Sequence, residues 1–116
     1  MSIDSDFKNK LNKAILNHKS NKLESAEKLY FQLLDIQPNN PQVNFYLGTL
    51  FAQQAKFNLA KQYFNKLLEK LPNDPNLNTN LGNIYFQEGD FKKAIKYFDT
   101  VIESDPDFVQ AYFNKG

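Results

Sequence analysis

Residues 41–74 read PQVNFYLGTLFAQQAKFNLAKQYFNKLLEKLPND, and residues 75–108 read PNLNTNLGNIYFQEGDFKKAIKYFDTVIESDPDF. Laid over one another without a gap, the two stretches share 11 identities in 34 positions. Most other positions keep their character: Leu50 falls on Ile84, Phe51 on Tyr85, and Leu67-Leu68 on Val101-Ile102. Pro38, Pro72 and Pro106 mark the same period of 34 residues. A fixed period of this length is the mark of stacked structural repeats. Such arrays work through an extended surface more often than through a buried pocket.

Each period carries two helical patterns. Val43, Leu47, Leu50 and Phe51 recur at spacings of three and four, which builds one apolar stripe along a helix. After Ala55-Lys56 a second stripe follows: Phe57, Ala60, Phe64, Leu67, Leu68 and Leu71. The next period repeats both, with Leu77, Leu81, Ile84 and Tyr85, a break at Gly89-Asp90, then Phe91, Ala94, Ile95, Phe98, Val101 and Ile102. Gly89 suits a helix C′ position, where positive φ is often required. Proline cannot continue one helix but suits the first turn of the next, so Pro-Asn-Asn-Pro and Pro-Asn-Asp-Pro close the units. The pattern predicts helices near 5–18, 22–36, 41–54, 57–70, 75–88 and 91–104, and a further one from 109. Gly48 and Gly82 lie inside helices, where each costs roughly 1 kcal/mol relative to Ala. Close helix crossing against Ala60 and Ala94 is the expected compensation, with Ala14 and Ala26 in the matching places of the first unit. The aromatic residues Phe57, Tyr63, Phe64, Phe91, Tyr97 and Phe98 are expected in the core.

Composition narrows the function. Fourteen lysines face thirteen acids, for a net charge of +1, so nothing implies a general attraction to nucleic acid or membrane. Arginine is absent, and any anion contact must rely on Lys, amides or backbone. Without cysteine there are no disulfides and no thiolate metal sites. The first residues have neither a basic nor an apolar signal-like segment, and no apolar run is long enough to span a bilayer. The sequence reads as that of a soluble, cytoplasmic protein. A single histidine, His18, rules out two-histidine metal motifs and reads as a helix-terminal or exposed side chain. The four glycines are dispersed, unlike a phosphate-binding loop. Lys8, Lys10, Lys13, Lys19 and Lys22 read as a solvated helix face. The sequence therefore points away from catalysis and from any cofactor.

The runs Asn44-x2-Leu47-Gly48-x2-Phe51…Ala60-x3-Phe64…Pro72 and Asn78-x2-Leu81-Gly82-x2-Tyr85…Ala94-x3-Phe98…Pro106 resemble the tetratricopeptide repeat, with Asn in place of the usual Trp. Residues 7–40 resemble a degenerate first unit, which keeps Ala14, Ala26-x3-Tyr30 and Pro38 but has Lys13 and Asn17 where Leu and Tyr are usual. The resemblance implies an all-α solenoid of antiparallel helix hairpins forming a right-handed superhelix. It divides the chain into a tail (1–6), units at 7–40, 41–74 and 75–108, and the start of a fourth unit at 109–116. The expectation is a fragment of a longer array, able to associate end to end through an uncapped C-terminal face near Val101 and Ile102.

In that family the first helix of each unit lines a concave groove that holds a peptide. Carried over, the groove positions are Asn12, Phe45, Tyr46, Thr49, Thr79, Asn80, Asn83, Phe86, Phe113 and Asn114, with Lys8, Leu11, Ile15, Gln42, Gln53, Asn76, Gln87 and Gln110 beside them. Amide side chains can pair with a peptide backbone as donor and acceptor, while the aromatics add contact area at low entropic cost. The partner implied is a protein or peptide. The carboxylate clamp of co-chaperone repeats is not matched, because Leu11 and Ile15 occupy clamp positions and Arg is absent. Asn12, Asn80 and Asn114 resemble the asparagine ladder of arrays that precede O-linked GlcNAc transferases, with Tyr46 interrupting it. This gives a second expectation: a substrate-targeting domain of a larger glycosyl- or sulfotransferase-type enzyme. A third is a spacer that assembles through its convex face.

Overall fold

The computed structural model describes residues 3–107. Within them lie six helices: α1 (Ile3–Lys19), α2 (Leu23–Ile36), α3 (Pro41–Gln53), α4 (Phe57–Leu68), α5 (Pro75–Gln87) and α6 (Phe91–Ser104). The chain is an all-α helical repeat of the solenoid type, built from antiparallel hairpins. It forms two compact units, Met1–Tyr63 and Phe64–Gly116. The seventh helix expected from residue 109 lies outside the described residues.

The turn inside each hairpin is made the same way three times. Asn21, Ala55 and Gly89, spaced by the repeat period, all adopt positive φ (63°, 59° and 85°). The amide one residue later reaches back to the carbonyl of Asn17, Phe51 or Tyr85 at 2.8–2.9 Å. The left-handed residue itself donates to His18, Ala52 or Phe86 at 3.0–3.1 Å. These two bonds form a Schellman motif, which satisfies carbonyls that a helix end would leave bare.

The turn between hairpins is also repeated. Asn40 and Asp74 cap α3 and α5 by accepting from the backbone amides of Val43 and Leu77, each at 3.0 Å. Pro41 and Pro75 occupy the first helical turn, where no amide donor is needed. Asn44 and Asn78 are buried, and each side-chain amide donates twice. Asn44 reaches the carbonyls of Pro38 (3.2 Å) and Asn40 (2.8 Å); Asn78 reaches those of Pro72 (3.0 Å) and Asp74 (2.9 Å). The asparagine in the usual tryptophan position therefore ties the preceding turn to the helix.

In the first unit the core contains Leu11, Ala14, Ala26, Tyr30, Leu33, Val43, Leu47, Leu50 and Phe51, all buried. In the second, Leu77, Leu81, Ile84, Ala94 and Val101 are buried between α5 and α6. Aromatic pairs recur in register, Phe51 with Tyr63 at 5.6 Å and Tyr85 with Tyr97 stacked at 5.5 Å.

Four expectations are corrected. A Cβ on Gly82 would come within 2.5 Å of the Phe98 ring, so the glycine admits an aromatic ring and not only the small Ala94. Phe91, Ile95 and Ile102, expected on the α6 core stripe, are exposed by 56%, 58% and 47%, because Ala94 and Val101 already define the face toward α5. Val101 is fully covered, so of the two residues expected to be open only Ile102 is. Helix α4 ends at Leu68, which leaves Leu71 outside it and 48% exposed.

The left-handed turn makes an opposed pair of substitutions informative. A left-handed L-residue costs about 1 kcal/mol or more, a cost glycine escapes. Nothing lies within 4 Å of a Cβ placed on Gly89, so backbone conformation alone decides there. Gly89→Ala is expected to lower stability by about 1 kcal/mol and Ala55→Gly to raise it by a similar amount. Urea denaturation measures both; losses of equal size in the two variants would contradict the shared turn.

Candidate functional site

The side chains expected to line a groove do not all share one environment. Leu11 is 6% exposed and belongs to the core, because its helix position turns it toward the α1–α2 packing and not toward solvent. Asn12, one residue on, is exposed on α1. Phe45, Tyr46 and Thr49 are half-buried on α3, and Thr79, Asn80 and Asn83 are half-buried on α5. Phe86 is 57% exposed at the end of α5, edge-on to Phe91 with ring centroids 5.2 Å apart. Gln110, Phe113 and Asn114 lie outside the described residues.

In the first unit the structure gathers several of these residues around a cavity of about 300 Å³. Its walls are Ile15, His18 and Lys19 of α1, Asn21 of the following turn, and Phe45, Tyr46, Thr49 and Gln53 of α3. The Tyr46 ring lies parallel to Tyr30, with centroids 5.9 Å apart and 1° between planes. Phe45 meets Tyr46 edge-on at 6.0 Å. Thr49 turns its hydroxyl proton to its own helix, donating to the Tyr46 carbonyl at 2.8 Å.

His18 stands in the last turn of α1, as expected, but the sequence reading missed its partners. It is half-buried, and both ring nitrogens are engaged: Nδ1 lies 3.0 Å from the Tyr30 hydroxyl and Nε2 lies 2.6 Å from Gln53 Oε1. An amide oxygen only accepts, so Nε2 carries the proton. Nδ1 then accepts from the Tyr30 hydroxyl. The ring also stands edge-on to Tyr30 and Tyr46, at 5.8 and 6.3 Å. Tyr30 is the cause. Its hydroxyl occupies a position where the later repeats have Phe64 and Phe98, and a buried hydroxyl without a partner is costly. The signal was present in the sequence as that one departure from phenylalanine.

Among the described residues no group of three or more metal-ligating side chains comes together. No helix among them is long and apolar enough to cross a membrane.

Comparison with known proteins follows the same lines. Two forms of the tetratricopeptide repeat profile match, one over residues 50–114 and the other over residues 11–75. The chain belongs to the tetratricopeptide repeat family. Repeats of this family serve protein–protein interaction. Comparison with curated protein sequences gives no match. Among solved structures, a mutant O-GlcNAc transferase from Thermobaculum terrenum superposes with a TM-score of 0.82 at 23% identity, over 93% of this chain and 21% of the transferase. MamA of AMB-1 gives 0.75 at 26% identity, over 90% of this chain and 58% of MamA. MamA of MSR-1 gives 0.74 at 25% identity, over 91% and 62%. The tetratricopeptide chain thus spans about a fifth of the transferase and about three-fifths of these MamA proteins.

Burial raises the Tyr30 phenol far above its ordinary value of 10.0, with a smaller contribution from Tyr46. Tyr63 is raised as well, mainly by burial and then by the Glu27 carboxylate. The unfolded chain releases the Tyr30 proton near pH 10 while the folded chain retains it. The associated stability is therefore fully present below that pH and declines above it. Between pH 10 and 11.5, wild type is expected to lose up to about 1.4 kcal/mol per pH unit more than Tyr30→Phe. Identical slopes in denaturant titrations of the two proteins would contradict the buried-phenol assignment.

Proposed function

We propose that this chain is a non-catalytic interaction module that holds a peptide segment against the first helices of its repeats. The groups assigned to contact are Asn12 on α1, Phe45, Tyr46 and Thr49 on α3, and Thr79, Asn80, Asn83 and Phe86 on α5, with Phe113 and Asn114 completing the set. The observation that carries this reading is the state of α3 and α5. Phe45, Tyr46, Thr49, Thr79, Asn80 and Asn83 are half-buried at the surface and Phe86 is exposed, and none of Tyr46, Thr79, Asn80 and Asn83 uses its side-chain hydroxyl or amide in a hydrogen bond with another described residue. Accessible donors and acceptors beside aromatic area suit capture of a peptide backbone, with specificity left to a few side chains. Fold alone does not name the ligand.

A second reading is supported by the structural likeness to an O-GlcNAc transferase. Here the same repeats would present substrate to a catalytic domain elsewhere in a longer protein. Asn12 and Asn80, two repeat periods apart, would then be rungs of an asparagine ladder. A glycosyltransferase domain encoded downstream in the same reading frame favours it; its absence favours a free-standing module.

The test is capture of partners from a lysate of the source cells by the wild-type chain and by a variant carrying Tyr46→Ala, Asn80→Ala and Asn83→Ala. Circular dichroism checks that the variant remains helical. Loss of a captured protein by at least about tenfold is expected, the scale of removing contacts worth more than 1 kcal/mol each. Undiminished capture by the folded variant would move the interaction to the second helices of the repeats.

A further inference from the structure

We infer that the cavity beside His18 is a subsite for an acidic side chain, aspartate or glutamate, carried by the bound peptide. The inference rests on the peptide-binding reading above and adds the chemistry of one ligand residue. It begins with the imidazole. Nε2–H is a donor held in a fixed direction, since the buried Tyr30 hydroxyl fastens Nδ1 from behind at 3.0 Å and two tyrosine rings flank it. What occupies that donor is the side chain of Gln53, an exposed residue at the last position of α3. A fixed donor satisfied by an exposed, rotatable acceptor is an arrangement a ligand can take over. A carboxylate oxygen replacing the Gln53 amide oxygen would make a charge-assisted hydrogen bond, stronger than the neutral one it displaces.

The remaining polar groups favour the same sign. Lys19 lines the cavity and has no carboxylate partner among the described residues. The Tyr46 hydroxyl makes no hydrogen bond to another described residue. Among the described residues no Asp or Glu lines the cavity. Residues 1–63 hold eight lysines against five acids, so the surrounding unit is positive. Against an anion stand the negative ends of α1 and α3. Three carbonyls near each end are already engaged: Leu16, Asn17 and His18 by Ser20, Lys22 and Asn21, and Leu50, Phe51 and Ala52 by Gln54, Lys56 and Ala55. His18, Lys19 and Gln53 stand in those last turns, where the helix-end field acts as a partial negative charge screened by salt; the ammonium of Lys19 sets a full positive charge against it. At about 300 Å³ the space is at the small end of ligand cavities, enough for one side chain.

Titration of the full chain, followed by NMR at constant neutral pH and ionic strength, tests the assignment. The probes are N-acetyl-glutamate amide, N-acetyl-aspartate amide, N-acetyl-glutamine amide and N-acetylglycine. One of the two acidic side-chain probes should shift the resonances of His18, Tyr46 and Thr49, and bind at least about fivefold tighter than the glutamine probe. Lys19→Gln should weaken the acidic probe about threefold or more without altering the glutamine probe. Gln53→Ala should tighten the acidic probe, because the competing acceptor is gone; a merely structural glutamine would not do this. Equal binding of glutamate and glutamine probes, or no shift at His18 with either acid, would overturn the inference. Binding of N-acetylglycine alone would also overturn it, since that reports a chain terminus. The two readings fail separately. Capture of a partner that depends on Tyr46, Asn80 and Asn83 can survive failure of the acidic probes, whereas capture indifferent to those residues removes the peptide-binding premise itself.

Discussion

One residue per repeat in the left-handed region controls how this chain folds back on itself. At Asn21, Ala55 and Gly89 the backbone reverses within three residues, and the two helix-closing bonds that follow are the same each time. The reversal sets where the second helix of each hairpin begins, and so which side chains of the two helices meet. Phe51 reaches Tyr63 and Tyr85 reaches Tyr97 because the turns between them match. The three residues that perform this task differ in their cost. Glycine adopts the conformation freely and asparagine with tolerance, whereas alanine does so against its own preference. Ala55 is held there by the two backbone bonds that close the turn, from its own amide to Ala52 and from the Lys56 amide to Phe51.

The opposite end of each hairpin is held by side chains. Asn44 and Asn78 each draw two carbonyls of the preceding turn onto the start of a helix, while Asn40 and Asp74 cap the same helix from outside. A tight turn at one end and a tied turn at the other leave little freedom in the length of the unit. That is the physical content of the 34-residue period, and it explains why the period was so legible. Helices α2, α3, α5 and α6 begin and end within one residue of the positions that apolar spacing, prolines and Gly89 predict. The role of Ala55 was not legible, since nothing in its chemistry announces positive φ, and Asn21, though of a type that tolerates it, is one of many asparagines in the chain. The role of Asn44 and Asn78 was visible only as identity in register.

The site was less legible than the fold, for reasons that differ by residue. Leu11 sits beside Asn12 in sequence, and a pattern carried over from a family places both near the groove. The hydrophobic effect assigns the leucine to the core and leaves the amide outside. His18 escaped because its partners are distant in sequence, 12 residues away at Tyr30 and 35 at Gln53. Local reading sees only a histidine in the last turn of α1. The exposed Phe91, Ile95 and Ile102 of α6 reverse the error: their spacing is that of a core stripe, but Ala94 and Val101 already fill the core. In each case the sequence names the element correctly, and the neighbours decide which of its faces is free.

Within one repeat, then, conserved geometry and variable chemistry are carried by different positions. The turns and the cores repeat, while the surfaces of α1, α3 and α5 depart from one another most clearly where a ligand would lie. Amide hydrogen exchange compared between the free chain and its complex with a captured partner tests this division most directly. Slower exchange confined to the ends of α1 and α3 around His18–Asn21 and Phe45–Gln53, and along Thr79–Phe86 of α5, is the expected result. Protection that falls instead on α2, α4 and α6 would contradict the assignment of function to the first helix of each repeat.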